Sequence, residues 1–268
     1  MKLSAVMLAG GYGCFHGPKM QKISKVLAHL DGKPMFSRIV DQLISTKLFS
    51  RYYVVTNQDY HEQIALALRG HPEIRYVTQT HRIGSAGAAK LALDLMEPDE
   101  QHALIQYGDM GFIELETYRC LVERHLYHDR PRLTLATIPY VPGTPVEKYG
   151  RFIYGEHGEL LGTVDDPLCV PRGKFVQANK ANPSLYVANV GWLKQRIPRL
   201  RPVDKGDGFP KERLMQGLIS AARQRGDRVA CVHFSDYEQF HGVNTLEELR
   251  QARRLFAARI QHREPIAA

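Results

Sequence analysis

Strand-sized apolar runs alternate with helix-sized segments through the first half of the chain, and this alternation constrains the fold more than any other feature. Residues 3–9, 52–56, 74–78, 103–107 and 133–139 read as strands, and residues 35–43, 61–68, 86–96 and 114–125 read as helices between them. Strands that are apolar along their whole length need cover on both faces, and one helix after each strand supplies it. The expected class is therefore α/β, with a mixed, mostly parallel Rossmann-like sheet. Sheets of this kind bind ligands beyond the carboxyl ends of their strands.

The rhythm changes after residue 139. Residues 151–154, 160–164 and 185–190 read as short strands separated by Gly, Pro and Asp, which suggests a small antiparallel lobe. Residues 209–223 then read as a helix and 229–234 as a strand. A closing helix starts at Thr245, where Thr245 and Glu248 form a capping box. The expected organisation is one domain with a nucleotide-binding part over 1–139, a lobe over 140–208 and a closing part over 209–268. No flexible linker divides them, so one continuous core is expected.

Composition excludes several classes. A chain of 268 residues with 44% apolar residues can bury a sizeable core, and no apolar run reaches the roughly 18 residues of a membrane helix. Residues 1–10 lack the charged region and cleavage pattern of a signal peptide, so a cytoplasmic location is expected. Cys14, Cys120, Cys169 and Cys231 are scattered, with no histidine at ligand spacing, which points to reduced thiols and no structural zinc. His125 and His128 share a helical face without a carboxylate motif and read as surface residues. The net charge of +8 suits phosphorylated small molecules. Arg250, Arg253, Arg254 and Arg259 lie mostly opposite the apolar set Leu246, Leu249, Ala252, Leu255, Phe256 and Ile260, so they read as a solvated face. Neither nucleic acid nor a membrane is an expected partner, and self-association is left open.

The first strand ends in Gly10-Gly11-Tyr12-Gly13, where glycines let the backbone approach phosphate. His16 stands where a dinucleotide fingerprint needs a small residue, and the Gly-Lys-Ser/Thr of a Walker loop is missing. On its own this loop reads equally as a tight turn. Further on come Lys25-Val26-Leu27, Gly32-Lys33-Pro34-Met35, Gln79 five residues before Gly84-Ser85-Ala86-Gly87, Tyr107-Gly108-Asp109, and Gly242-Val243-Asn244. Tyr149-Gly150-Arg151 and Asn189-Val190-Gly191 add weaker matches. In this order they resemble the sugar-phosphate nucleotidyltransferases. The likeness is greatest to the uridylyltransferase domain of bacterial N-acetylglucosamine-1-phosphate uridylyltransferase, without its β-helix acetyltransferase domain.

The resemblance implies an enzyme of nucleotide-sugar biosynthesis that condenses an NTP with a sugar 1-phosphate, or a similar phosphorylated alcohol, and releases pyrophosphate. It implies that Gly10, Gly11 and Gly13 cradle the triphosphate, with Leu8 beside them, and that Lys25 neutralises the α-phosphate. It implies further that Gln79, Gly84 and Ser85 hold the nucleoside, that Asp109 and Asn244 hold Mg2+, and that Gly150, Asp165 and Asn189 hold the sugar. Lys25 and Asp109 are the implied catalytic pair. The donor and acceptor of Gln79 suit the edge of uracil or thymine, so UTP or dTTP is expected. Gly111 breaks the Asp-x-Asp motif usual in glycosyltransferases of similar topology.

One departure stands out. Cys14 and Phe15 occupy the family's Thr-Arg pair, whose arginine meets the triphosphate, and the loop that follows is about three residues longer. The expected substitute for that charge is Lys22, or else Lys19, carried in by loop closure. The other reading of the departure is a catalytically inactive nucleotide-binding regulatory protein.

Overall fold

The computed structural model describes residues 2–16, 22–166, 175–204, 206 and 208–261. In chain order the elements are β1 (Lys2–Leu8), β2 (Cys14–His16), β3 (Lys22–Ser24), β4 (His29–Leu30), β5 (Lys33–Pro34), α1 (Met35–Ser45), β6 (Arg51–Asn57), α2 (His61–Ala67), β7 (Ile74–Gln79), α3 (Gly84–Asp94) and β8 (Glu100–Tyr107). They continue with α4 (Leu115–Tyr127), β9 (Leu133–Pro139), β10 (Arg151–Gly155), β11 (Leu160–Thr163), β12 (Phe175–Ala181), β13 (Tyr186–Asn189), α5 (Val190–Arg196), α6 (Gly217–Gln224), β14 (Val229–His233) and α7 (Leu246–Gln261). Strands β8, β1, β6 and β7 lie side by side and parallel, and β14 runs parallel to β9. Strands β10, β11 and β12 form the antiparallel lobe at the other edge. The mixed α/β class and the largely parallel centre are as expected.

Strand alternation divides the core in two. Leu3, Ala5 and Met7 of β1 and Tyr52 and Val54 of β6 face a cluster built on Phe36, Ile39, Val40 and Leu43 of α1, Ile64 of α2 and Leu121 of α4. Val6 and Leu8 of β1 and Tyr53 and Val55 of β6 face the opposite cluster, built on α3, α5 and α6. Each large apolar side chain so buried contributes about 1.5–3 kcal/mol. Helix α3 approaches the sheet through Ala86, Ala88, Ala89 and Ala92, small residues that bring its N-terminus close to the strand ends. A third, smaller cluster places Leu249, Ala252 and Phe256 of α7 on Leu30, Met35, Phe112 and Val243, and Phe15 packs against it.

Three expectations need correction. β13 does not belong to the lobe: it inserts antiparallel between β8 and β9 in the central sheet, because Tyr186, Val187 and Ala188 are apolar enough to be buried on both faces. The helix expected over 209–223 starts only at Gly217. Gly208 has φ +78°, Pro210 has no N–H, and Glu212 spends its backbone groups on a bridge to Val203. His125 is buried rather than at the surface, between His102 and Thr134 at 2.9 Å each. Burial pushes its imidazole down to about 3. Arg250, Arg253 and Arg254 do face outward on α7, while Arg259 reaches back to Asp236 at 2.8 Å. Among the described residues no helix is long and apolar enough to cross a membrane.

Candidate active site

The carboxyl ends of β1, β7 and β8 open onto one cavity of about 330 Å³, and Leu8, Gly10, Gly11, Lys25, Gln79, Gly84, Ser85 and Asp109 all line it. The backbone sets this convergence. Ala9 N–H donates to the Val55 carbonyl at 2.8 Å, and Gly108 N–H to the Leu8 carbonyl at 2.9 Å, so the loops after β1 and β8 leave the sheet together. A side chain at position 108 would meet the Phe36 ring at 3.0 Å, which keeps Asp109 close to α1.

Lys25 stands on a 3₁₀ turn whose first N–H donates to the Gly13 carbonyl at 3.1 Å. Its Nζ lies 2.6 Å from Asp109 Oδ2 and also donates to Asn244 Oδ1. Two hard oxygen donors from distant parts of the chain thus converge on one cation. The Asn244 turn is held by Val243 N–H, which donates to the Asp109 carbonyl at 3.1 Å, and by Glu248, which accepts from Asn244 N–H at 2.7 Å. Burial works against ionisation of Glu248, but Lys148 Nζ at 2.5 Å and those backbone donors hold its carboxyl below the usual range.

Gln79 is buried, and its Nε2 donates to the Gly10 carbonyl at 2.5 Å. Its Oε1 is also buried and has no hydrogen-bond partner among the described residues. A Cβ at position 10 would sit 2.9 Å from this amide, so the first glycine of the loop makes room for Gln79. Gly84 has φ +77°, and a Cβ there would lie 2.3 Å from the Arg213 carbonyl. Only glycine meets both demands. The Arg213 carbonyl accepts from Ala86 N–H at 2.9 Å, and Ser85 Oγ accepts from Met215 N–H at 3.0 Å, so the segment before α6 straps the start of α3.

The lobe contributes a second group of polar residues. A Cβ on Gly150 would fall 1.8 Å from Asp165 Oδ1, so that carboxylate lies directly over the glycine backbone. Tyr107, on the cavity wall, is near enough to both Asp109 and Asp165 that their charges add to burial in raising its phenol. Asn189 is not in this group. It pairs with His102 toward the amino end of β8, caps α5 by accepting from Trp192 N–H at 2.9 Å, and donates to the Gln101 carbonyl at 3.3 Å. Because β13 runs antiparallel to β8, its last residue lies at the sheet edge away from the cavity.

The asparagine that does lie beside Gly150 is Asn182. Its N–H donates to the Gly150 carbonyl at 2.9 Å, and its Nδ2 to the Tyr186 hydroxyl at 2.9 Å. Burial pushes that phenol up to about 12, and the nearby Asp165 charge adds to the shift. Asn57 was also missed. Its side chain donates to the Gly10 and Gly11 carbonyls at 3.2 and 3.0 Å and accepts from Tyr60 N–H at 3.0 Å, which fixes the glycine loop from below. A polar residue ending an apolar strand was its one sequence signal.

The lengthened loop begins and ends as a hairpin, with Cys14 opposite Ser24 and His16 opposite Lys22. Lys22 is exposed and does not line the cavity, and Lys19 lies outside the described residues. Phe15 joins the apolar cluster under α7. The second cation on the cavity wall is instead Arg82. Its guanidinium carbon lies 3.9 Å from the Phe209 ring centre and 5.4 Å from that of Tyr12.

The MobA-like NTP transferase domain family matches residues 5–166, a span that holds the glycine loop, Lys25, Gln79 and Asp109. The chain belongs to this family. It is 24% identical over 264 residues to "Bifunctional protein GlmU" of Clostridium novyi (strain NT), covering 98% of this chain and 54% of that protein. It is 25% identical over 263 residues to the protein of the same name in Bacillus subtilis (strain 168), covering 98% and 54%. The chain thus spans about half the length of these curated relatives. Among solved structures, the fold is similar to CMP:2-keto-3-deoxy-manno-octonic acid synthetase with CTP (TM-score 0.68, 14% identity, 97% and 100% covered). It is also similar to the inositol-1-phosphate CTP transferase from T. maritima (TM-score 0.67, 15% identity, 99% and 98% covered). This chain is a nucleotidyltransferase of the NTP transferase family, related in sequence to the GlmU proteins and similar in fold to the two solved structures.

Proposed function

We propose that this nucleotidyltransferase condenses UTP or dTTP with a sugar 1-phosphate, or a similar phosphorylated alcohol, to give a nucleotide sugar and pyrophosphate. The observation that carries the reading is the convergence of Asp109 and Asn244 oxygens on the Lys25 ammonium beside the glycine loop. An oxygen of the incoming phosphate monoester forms a bond to the α-phosphorus, and the bond from that phosphorus to the bridging oxygen breaks. Pyrophosphate leaves with the electron pair. The attacking oxygen is already ionised, so no general base is needed, and the work is alignment and charge neutralisation.

The donor set fits Mg2+. Asp109 and Asn244 offer hard oxygens already gathered round a cation, and among the described residues no cluster of three or more His, Cys, Asp or Glu offers another centre. Mg2+ held by Asp109 and Asn244 would supply positive charge to the polyphosphate. Lys25, freed from Asp109, follows the charge that develops on the α-phosphate. Backbone N–H groups of Gly10, Gly11 and Gly13 face the triphosphate, and Arg82 supplies the further positive charge that Phe15 cannot.

Gln79 supports the pyrimidine reading. With its amide nitrogen engaged by Gly10, it presents Oε1 as an acceptor. The N3–H of uracil or thymine can donate to it, whereas N3 of cytosine is itself an acceptor. On the lobe side Gly150 and Asp165 would meet the sugar, with Asn182 and Tyr186 bracing the Gly150 backbone from behind, and Asn189, at the far sheet edge, would not. The test is pyrophosphate release from UTP, dTTP, CTP, ATP and GTP, each against a panel of sugar and cyclitol phosphates. Release from UTP or dTTP with one member of the panel is expected; CTP or a purine triphosphate as the preferred substrate would contradict the reading.

A further inference from the structure

Asn244 is exposed, yet its carbonyl must keep a fixed place opposite Asp109. Part of its support is local: the capping box of α7, and Met110 bridged to Gly242. The remaining support comes from a distant part of the chain. Tyr149 Oη donates to the Phe240 carbonyl at 2.5 Å and accepts from Gly242 N–H at 3.0 Å. One phenol oxygen thus grips the backbone on both sides of His241, and the nearer of the two contacts, at Gly242, lies two residues before Asn244. Burial, with the Asp109 charge adding to it, holds this phenol above its ordinary range, so it stays neutral and can donate and accept at once.

Gly242 is matched to this contact. A Cβ there would sit 2.9 Å from Tyr149 Oη, although no unusual backbone angle at that position calls for glycine. The backbone on the far side of Tyr149 leads directly to Gly150, over which the Asp165 carboxylate lies. The tyrosine therefore joins the cation turn to the lobe that faces the acceptor phosphate.

We propose that Tyr149 is a positioning residue that sets the Asn244 carbonyl against Asp109 for the divalent cation. The proposal rests on the reading of Asp109 and Asn244 as cation ligands. It also predicts that acceptor and cation assist each other's binding, since a coupling of this kind is reciprocal.

The test is Mn2+ binding to the full chain, read from the paramagnetic signal of free Mn2+, with melting temperature measured alongside. Tyr149→Phe keeps the packed ring and removes the oxygen. Loss of its two hydrogen bonds should weaken Mn2+ binding about 3- to 10-fold. Gly242→Ala should weaken it in the parent by pressing on Oη, and should cost clearly less in the Tyr149→Phe background, where that oxygen is gone. Should Tyr149→Phe unfold, Gly242→Ala alone carries the test. A Mn2+ Kd within twofold of the parent in both single variants would overturn the proposal, whatever the melting temperatures do. Additive effects in the double variant would overturn it equally. Failure of the underlying reading looks different: Asp109→Ala would then bind Mn2+ like the parent.

Discussion

Lys25 occupies the position that the proposed cation needs, and this has an unusual consequence for Lys25→Met. Methionine keeps the apolar stem that runs past Gly13 and removes only the ammonium. In the parent, that ammonium lies 2.6 Å from Asp109 Oδ2, with side-chain exposures of 18% and 15%. A pair of unit charges about 4 Å apart interacts by about 4 kcal/mol at an effective dielectric near 20. Solvent access and the cost of holding the lysine extended reduce the net to roughly 1–2 kcal/mol. A divalent cation binding the free enzyme must displace the ammonium and forfeit that energy. Lys25→Met should therefore bind Mn2+ about 5- to 30-fold more tightly than the parent in the absence of nucleotide. Turnover should move the other way, falling about 30- to 1,000-fold through loss of roughly 2–4 kcal/mol of transition-state stabilisation. The assay is Mn2+ binding without nucleotide, followed by pyrophosphate release at saturating substrates. If Lys25→Met binds Mn2+ no more tightly than the parent, the ammonium and the divalent cation do not share the Asp109–Asn244 site.

Other outcomes follow from single contacts. Gly84→Ala meets both a left-handed backbone and the Arg213 carbonyl, so it should lower stability by about 2–4 kcal/mol, read as a fall in urea midpoint with an unchanged slope. Arg82→Ala should reduce kcat/KM for the NTP about 10- to 100-fold, whereas Lys22→Ala should stay within about threefold; equal losses would return Lys22 to the site. Burial, with the neighbouring His102, pushes folded His125 down to about 3 from an unfolded value of about 6.5, so the unfolded chain binds the extra proton between those values. Stability from this group is full above about pH 6.5 and should fall by about 1.4 kcal/mol per unit below it. His102, His233 and His241 are shifted in the same direction and steepen that loss. A flat urea midpoint between pH 7.5 and 5 would contradict the buried histidine pair.

The parallel strands were legible because their apolar runs are continuous, and parallel strands put the ends that carry Gly10, Gln79 and Asp109 on one side; the choice of these residues, and of Lys25 on its separate turn, came from the family resemblance. Where the sheet turns antiparallel, that inference fails. Asn189 lies at the end of a strand that reads like the others, but β13 runs against β8, so its first residues face the lobe and its last lie at the far edge. Asn182, just before that strand, is the asparagine whose backbone reaches Gly150. The segment over 209–216 has helix-like composition, yet its backbone groups are claimed by Val203 nearby and by Ile83 and Ala86 far away in the chain. Asn57 and Arg82 carry no motif of their own; they act through the Gly10 carbonyl and the Tyr12 and Phe209 rings, contacts that exist only once the strands are assembled.

Attack at the α-phosphorus fixes where each phosphorus atom of the NTP must end, and labelled phosphorus reads that out. Parallel reactions with α-labelled and γ-labelled UTP or dTTP, each with the sugar 1-phosphate chosen from the panel, should divide the label cleanly. All the α-label should appear in the nucleotide sugar and all the γ-label in pyrophosphate, with both lost in Asp109→Ala. Label from the γ-position in inorganic phosphate or on the sugar would place the attack elsewhere, and an unchanged rate in Asp109→Ala would remove Asp109 from the chemistry.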